Sequence, residues 1–398
     1  MSIRDKMRPL FRTLDGGLFS EKAGKADVGD AVSKLQAEGG TLMCWADPFY
    51  PDRVIPQKVL ERSVEVIQQG VACHYTPPIG NADLKEVIAK KIERDNHIKV
   101  NPQRNIIINP GSDVGLYFAM TPFIEPGDEV LVHDPSYPSN FLDPQLLNGV
   151  VVKVPTYEED NYRLRVEEYE KRLTPKTKMV LLSSPNNPTG RMFTREELTE
   201  LSQFIIKHDL ICVCDQAFED TAFPGHEMVT MASLPGMWER TVSCSSLSKT
   251  YSITGWRLGY AIAPKPIMDR IKQYHDFNTV GAPSPLMEAA VVGLDMPDSY
   301  YKEFGDHYAH MKKLFTDGLK QIGIPFTDPQ GAYFVLADIG PYLRKGESDV
   351  DFCLEMAEKV GVACVPGTSF FNENVNNIVR VHFAKKDETL YEALDRLS

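Results

Sequence analysis

The sequence has no apolar run approaching the ~18 residues that a membrane-spanning helix needs, so a membrane protein is not expected. It has no basic excess either. Its 43 Lys and Arg stand against 55 Asp and Glu, a formal net charge of −12. Nucleic acid and anionic membranes are therefore not expected partners, although a local basic pocket for a small anion remains compatible with this balance. Cysteines number only seven, an odd count with no CxxC pair, which suits buried thiols in a reducing compartment better than a disulfide framework. Cys212 and Cys214 would put both thiols on one face of a strand, and buried thiols are favoured over a metal pair there. The opening Met1–Lys6 carries early charges and no signal-peptide core, so a cytoplasmic location is expected. Repeats and low-complexity tracts are lacking too. What is there is ordinary globular composition, 42% hydrophobic and 25% charged over 398 residues. At roughly 100–200 residues per domain, two or three domains are expected.

From about 105 to 265, strand-length apolar runs alternate with helical patterns. Asn105–Asn109, Glu129–His133, Val150–Val154, Met179–Ser183, Leu210–Cys214 and Thr241–Ser245 read as strands, with another after Arg257. These runs are near-continuous, as expected for strands covered on both faces. Thr194-Arg-Glu-Glu197 is a capping box opening a helix with Leu198, Leu201 and Ile205 at helical spacing. The fold class is therefore α/β, a large domain with a mostly parallel seven-stranded sheet between helices. After about 285 the texture becomes α+β: helical residues 285–322, a strand-like run 331–337, a helix over about 349–361 and a last strand near 378–383. The expected division is an N-terminal arm or part of the small domain over 1–45, a large domain over 46–285 and a smaller one over 286–398.

Four features fall at strand ends, where open α/β sheets bind ligands. Ser246-Leu-Ser-Lys249 follows one strand, and Thr254-Gly-Trp-Arg257-Leu-Gly-Tyr260 follows closely. Ser184-Pro-Asn-Asn187-Pro-Thr-Gly190 follows another, and Asp215 ends a third. Gly111-Ser112-Asp113 joins a strand to a helix, where free backbone N–H groups form a phosphate cup. Taken singly, each also fits a plain structural role: a solvated lysine, a turn, a capping acid, a common glycine turn.

As an ordered set, SSPNNPTG, the aspartate, SLSK and TGWRLGY resemble the class I/II aminotransferases of the pyridoxal-phosphate fold-type I family, from about Tyr75 to Arg380. That resemblance implies pyridoxal 5′-phosphate as cofactor, held by Lys249 as a Schiff base, with the freed amine later moving a proton. It implies Asp215 paired with the pyridinium nitrogen, Asn187 donating to the 3′-oxygen and bordering the substrate, and Tyr137 stacked on the ring. Ser112, Asp113, Ser246 and Arg257 match the phosphate anchors, although Asp113, as a carboxylate, is expected to point away from the phosphate or cap its helix. Tyr75 resembles the tyrosine reaching the neighbouring subunit's phosphate, which implies a homodimer with shared active sites. Arg380 resembles the arginine that grips the substrate carboxylate.

Two departures stand out. Phe218 occupies the place of a usual tyrosine that donates to the 3′-oxygen, and Ala46-Asp-Pro48 stands where many relatives carry Gly-Asp-Pro. The resemblance implies amino-group transfer between an L-amino acid and a 2-oxo acid. The alternative is a carbon–sulfur β-lyase or a decarboxylase on the same scaffold. An aminotransferase-like regulatory module is not expected, because the chain has neither room nor basic charge for an added DNA-binding domain. His307 and His310 fit a solvated helix face rather than a metal site.

Overall fold

A computed structural model describes residues 3–13, 30–52, 54–371 and 375–398. Met1, Ser2 and residues 14–29 of the expected arm lie outside the described residues. The central sheet has seven strands in the order Ile106–Asn109, Gly259–Ile262, Thr241–Ser246, Ile211–Gln216, Thr177–Ser183, Glu129–Asp134, Val150–Pro155. All are parallel except Gly259–Ile262, which runs antiparallel to both neighbours.

The apolar runs are near-continuous because both faces are covered. Val130, Val132, Met179 and Leu181 face one layer with Leu116, Phe118, Met268 and Ile271 of helices Ser112–Met120 and Lys265–Thr279. Leu131, Val180 and Leu182 face the other, against Leu198, Leu201 and Ile205 of helix Arg195–Lys207. That helix opens with the expected capping box, Thr194 accepting from the Glu197 N–H and Glu197 reaching back. Cys212 and Cys214 lie buried with Sγ atoms 3.6 Å apart, on one face as expected.

The second sheet is antiparallel, four strands in the order Val365–Pro366, Ile378–His382, Phe334–Asp338, Phe326–Thr327. The region expected to be helical over 285–322 is two helices, Ser284–Leu294 and Asp298–Ile322, with Pro297 at the break because it has no N–H to continue the first. The strand-like run 331–337 starts later than expected, since Ala332 sits at φ 57° and turns the chain before Phe334. Near the N-terminus, helix Asp30–Ala37 buries Val32 and Leu35 among Met311, Phe315 and Val362, and Thr41–Leu42 pairs with Val362–Ala363. Sequence periodicity did not mark that helix, nor helices Gln57–Gln68 and Ala82–Asn96.

Candidate active site

Parallel strands bring their carboxyl ends to one edge, and the features singled out in the sequence meet there. Ser183, Asp215 and Ser246 end or nearly end adjacent strands. Gly259, at the start of the antiparallel strand, pairs with both Asn109 and Ser246, which brings Arg257 to the same edge.

Asp215 is buried. Its carboxylate accepts from Ser183 Oγ at 3.3 Å and the Ala217 N–H at 3.2 Å, and Asn140 also bonds it. Burial, helped by the charge of Asp113, pushes its pKa up to about 6. Burial, with Asp113 and Asp215 adding to it, also pushes Asp143 up to about 8. Such a carboxylate group is unfavourable without a cation, and a positive ring nitrogen at Asp215 would hold it ionised.

Lys249 follows strand Thr241–Ser246, and its Nζ donates to the Ala46 carbonyl at 2.7 Å. Burial lowers its pKa to about 8, against the pull of Asp113 and Asp47. The amine lies 5.8 Å from the centre of the Phe218 ring. The Ala46 loop is itself tied down. Thr254 Oγ1 donates to Asp47 Oδ1 at 2.7 Å, and His382 Nε2 lies 3.1 Å from the Asp47 carbonyl.

The phosphate cup expected at Gly111-Ser112 is built by close backbone approach. Gly111 has φ 90° and Gly259 packs so tightly that a Cβ there would fall 2.7 Å from the Ser112 nitrogen. A side chain at Gly111 would run into the Arg257 guanidinium. Arg257, at φ 55°, donates to the Thr254 carbonyl at 3.0 Å. Asp113, expected to point away from the phosphate or cap its helix, lies in the first turn of helix Ser112–Met120 with its carboxylate 3.6 Å from Arg257 Nη2. Ser246 Oγ accepts from the Ser248 N–H at 3.2 Å. A guanidinium, hydroxyls and a helix start around a glycine cradle fit a phosphate dianion.

Arg380 lies on strand Ile378–His382 of the second sheet and is buried. Its Nη1 donates to Asn187 Oδ1 at 2.7 Å and its Nη2 to the Cys44 carbonyl at 2.7 Å. The Phe334 and Phe370 rings flank it, centred 4.4 and 4.6 Å from the guanidinium carbon. Asn187 belongs to the loop after Ser183, and the Gly190 carbonyl of that loop accepts from Gln330 and Gly331. Both sheets therefore meet at the Asn187–Arg380 contact. Tyr137 caps helix Pro138–Leu146 near Arg380 and Asp113, and burial pushes its hydroxyl up to about 12. Tyr75 stands apart from this group, 92% exposed after the short turn Val71–Cys73.

Asn140 and Tyr333 were missed in the sequence, and Ala46 was noted there as a departure without its carbonyl's contact with Lys249. Asn140 had one available signal, a polar residue one turn beyond Tyr137 in a Pro-flanked segment. A backbone carbonyl carries none. No group of three or more metal-type side chains clusters among the described residues, and His310 instead lies 2.8 Å from Asp387.

Known proteins share the sequence pattern and the fold. The family described as aminotransferase class I and II matches residues 43–397. The chain belongs to this family. It is 33% identical over 349 residues to aromatic-amino-acid aminotransferase 2 of Thermococcus litoralis, covering 87% of this chain and 88% of the relative. It is equally similar, 33% with the same coverage, to an aspartate aminotransferase of Pyrococcus abyssi. The solved aromatic aminotransferase of Pyrococcus horikoshii superposes with a TM-score of 0.84 at 32% identity, over 92% of this chain and 97% of that one. As a class I and II aminotransferase, the protein uses pyridoxal phosphate and transfers an amino group between an L-amino acid and a 2-oxo acid. The lyase or decarboxylase alternative is not favoured by these relatives. No helix among the described residues is long and apolar enough to cross a membrane.

Proposed function

We propose that Lys249 is the lysine that bonds the cofactor and carries the transferred proton, and that Arg380 grips the substrate α-carboxylate. The observation that carries this reading is the convergence of Arg380, Asn187, Asp215 and Lys249 from separate segments onto one strand edge. Bound pyridoxal phosphate supplies an electron sink for the bond broken at the substrate Cα. Asp215, held by Ser183 and Asn140, would keep the ring nitrogen protonated. Ser112, Ser246 and Arg257 would hold the phosphate, with Asp113 orienting Arg257 through their ion pair. Tyr137 would cover the ring, and Asn187 would serve both cofactor and substrate. A Lys249 amine held near pKa 8 by burial is close to neutral pH, so it can both take and return a proton.

A homodimer with shared sites is part of the same proposal. Tyr75 at 92% exposure and Phe277 at 90% are large apolar rings with little cover in one protomer. Tyr75 then reaches the partner's phosphate site. A cytoplasmic location and a division near residues 45 and 285 complete the reading. Burial of Val32 and Leu35 against Phe315 supports assigning residues 1–45 to the smaller domain.

Arg380→Ala tests the site. The lost charge-assisted contact should lower kcat/KM on the order of 10²-fold or more, with cofactor affinity little changed. Unchanged kcat/KM would show that another group holds the carboxylate. Screening amino donors against pyruvate, 2-oxoglutarate and oxaloacetate identifies the substrate pair, with stoichiometric product amino acid marking transfer.

Phe218 makes the site unusual, since its ring faces Lys249 without a hydroxyl. Phe218→Tyr adds a donor that stabilises an anionic oxygen on the cofactor. The visible band of the loaded enzyme should then convert to its near-ultraviolet form about one pH unit lower. A spectral titration with an unmoved or higher midpoint would place Phe218 away from that oxygen.

A further inference from the structure

Tyr333 carries a hydroxyl into the site from the turn before strand Phe334–Asp338. Its side chain is fully buried, edge-on to Phe218 with ring centres 5.3 Å apart, and 5.1 Å from the His382 ring. Its hydroxyl donates to the Ala46 carbonyl at 3.1 Å, the same oxygen that accepts from Lys249 Nζ at 2.7 Å. Two donors therefore share one acceptor.

We propose that Tyr333 is a positioning residue for Lys249, its hydroxyl fixing the Ala46 carbonyl and competing with the amine for that oxygen. The proposal rests on the reading of Lys249 above. The carbonyl has two lone pairs, and each hydrogen bond to it draws on the same electron density. While Tyr333 donates, the oxygen is a weaker acceptor for an ammonium, so the amine parts with its proton more readily. The hydroxyl also anchors the Ala46 loop from the second sheet, so the amine, once off the cofactor, returns to a defined place. The other charged groups acting on Lys249 are the carboxylates of Asp47 and Asp113 and the guanidiniums of Arg257 and Arg380, with the His382 imidazole beside Tyr333. Removing one hydroxyl leaves all of them in place.

The test uses two near-isosteric changes, Tyr333→Phe and replacement of Tyr333 by 3-fluorotyrosine, a stronger donor of almost the same shape. Pulses of acetic anhydride label Lys249 of the cofactor-stripped enzyme between about pH 6 and 10, and mass spectrometry of the Lys249 peptide gives the midpoint of its titration. Tyr333→Phe should raise that midpoint by about half a pH unit or more, and the fluorinated residue should lower it. In the loaded enzyme, Tyr333→Phe should reduce kcat about 3–10-fold with KM for the amino donor within about twofold. Midpoints that coincide in wild type and both variants overturn the proposal, because a ring that only packs would not move them. Borohydride reduction of the loaded wild type separates this failure from that of the parent reading. If Lys249 does not retain the cofactor, the parent reading fails. If it does and the midpoints coincide, only the role of Tyr333 is lost.

Discussion

Lys249→Ala should abolish turnover, by ~10⁴-fold or more, and remove the visible absorbance of the bound cofactor while leaving the fold intact. The chemical part follows from position. Lys249 is the amine at the edge where Asp215, Asn187 and Arg380 converge, and it has no substitute among the described charged groups acting there. The structural part follows from burial. Its amine has one hydrogen bond, to the Ala46 carbonyl, and its pKa is pulled down to about 8. A lysine whose folded pKa lies below its unfolded value costs stability in full below the folded pKa, and that cost fades as pH rises from about 8 and is gone above the unfolded pKa. Removing the amine relieves that cost, so the cofactor-free variant should unfold no earlier in urea than cofactor-free wild type at neutral pH. Retention of a borohydride-reducible cofactor adduct in Lys249→Ala would assign the chemistry to another lysine.

The second large effect lies behind the site. Lys91, on helix Ala82–Asn96, is buried at 6% side-chain exposure, 3.0 Å from Asp220 Oδ1, 3.3 Å from Glu219 Oε1 and 3.1 Å from Asp95 Oδ2. Those carboxylates hold it charged despite its burial. Glu219 also accepts from Tyr260 at 2.6 Å and Ser245 at 3.2 Å, and Asp220 from Thr250 at 2.8 Å. The network thus grips the residues adjoining Ser246 and Lys249. Lys91→Met leaves Glu219 and Asp220 side by side without their shared cation, at a cost of about 3–5 kcal/mol at neutral pH. Burial already holds the Glu219 carboxyl above the usual range, and loss of Lys91 pushes it further up. That deficit is largest at high pH and shrinks as acid protonates Glu219. Urea unfolding near pH 8 and pH 5 checks both magnitude and sign. A loss under about 1 kcal/mol, or one independent of pH, would mean that water already screens the pair.

The central sheet and the motifs at its strand ends are legible from residue order alone. Strands covered on both faces must be apolar at nearly every position, so Val130 to Val132 and Met179 to Leu182 are legible without knowing their neighbours. The capping box at Thr194 is equally local, because donor and acceptor are three residues apart. Lys249, Asp215 and Asn187 are legible because each follows or ends a strand in a short, ordered motif. The rest depends on contacts between segments far apart in the chain. Helix Asp30–Ala37 is buried through pairing of Thr41–Leu42 with Val362–Ala363, a contact spanning most of the chain that leaves no periodic mark near either partner. Asp113 faces Arg257 because a half-exposed carboxylate takes the nearest cation, and which cation is near is set by the turn at Arg257. Lys91 carries no local mark in the sequence and gains its role only when Glu219 and Asp220 are folded against it. Tyr333 reads as a strand aromatic until the chain turns at Ala332 and brings its hydroxyl to the carbonyl that Lys249 also uses. In each case the deciding partner is distant in sequence, and burial converts that distant contact into a strong interaction.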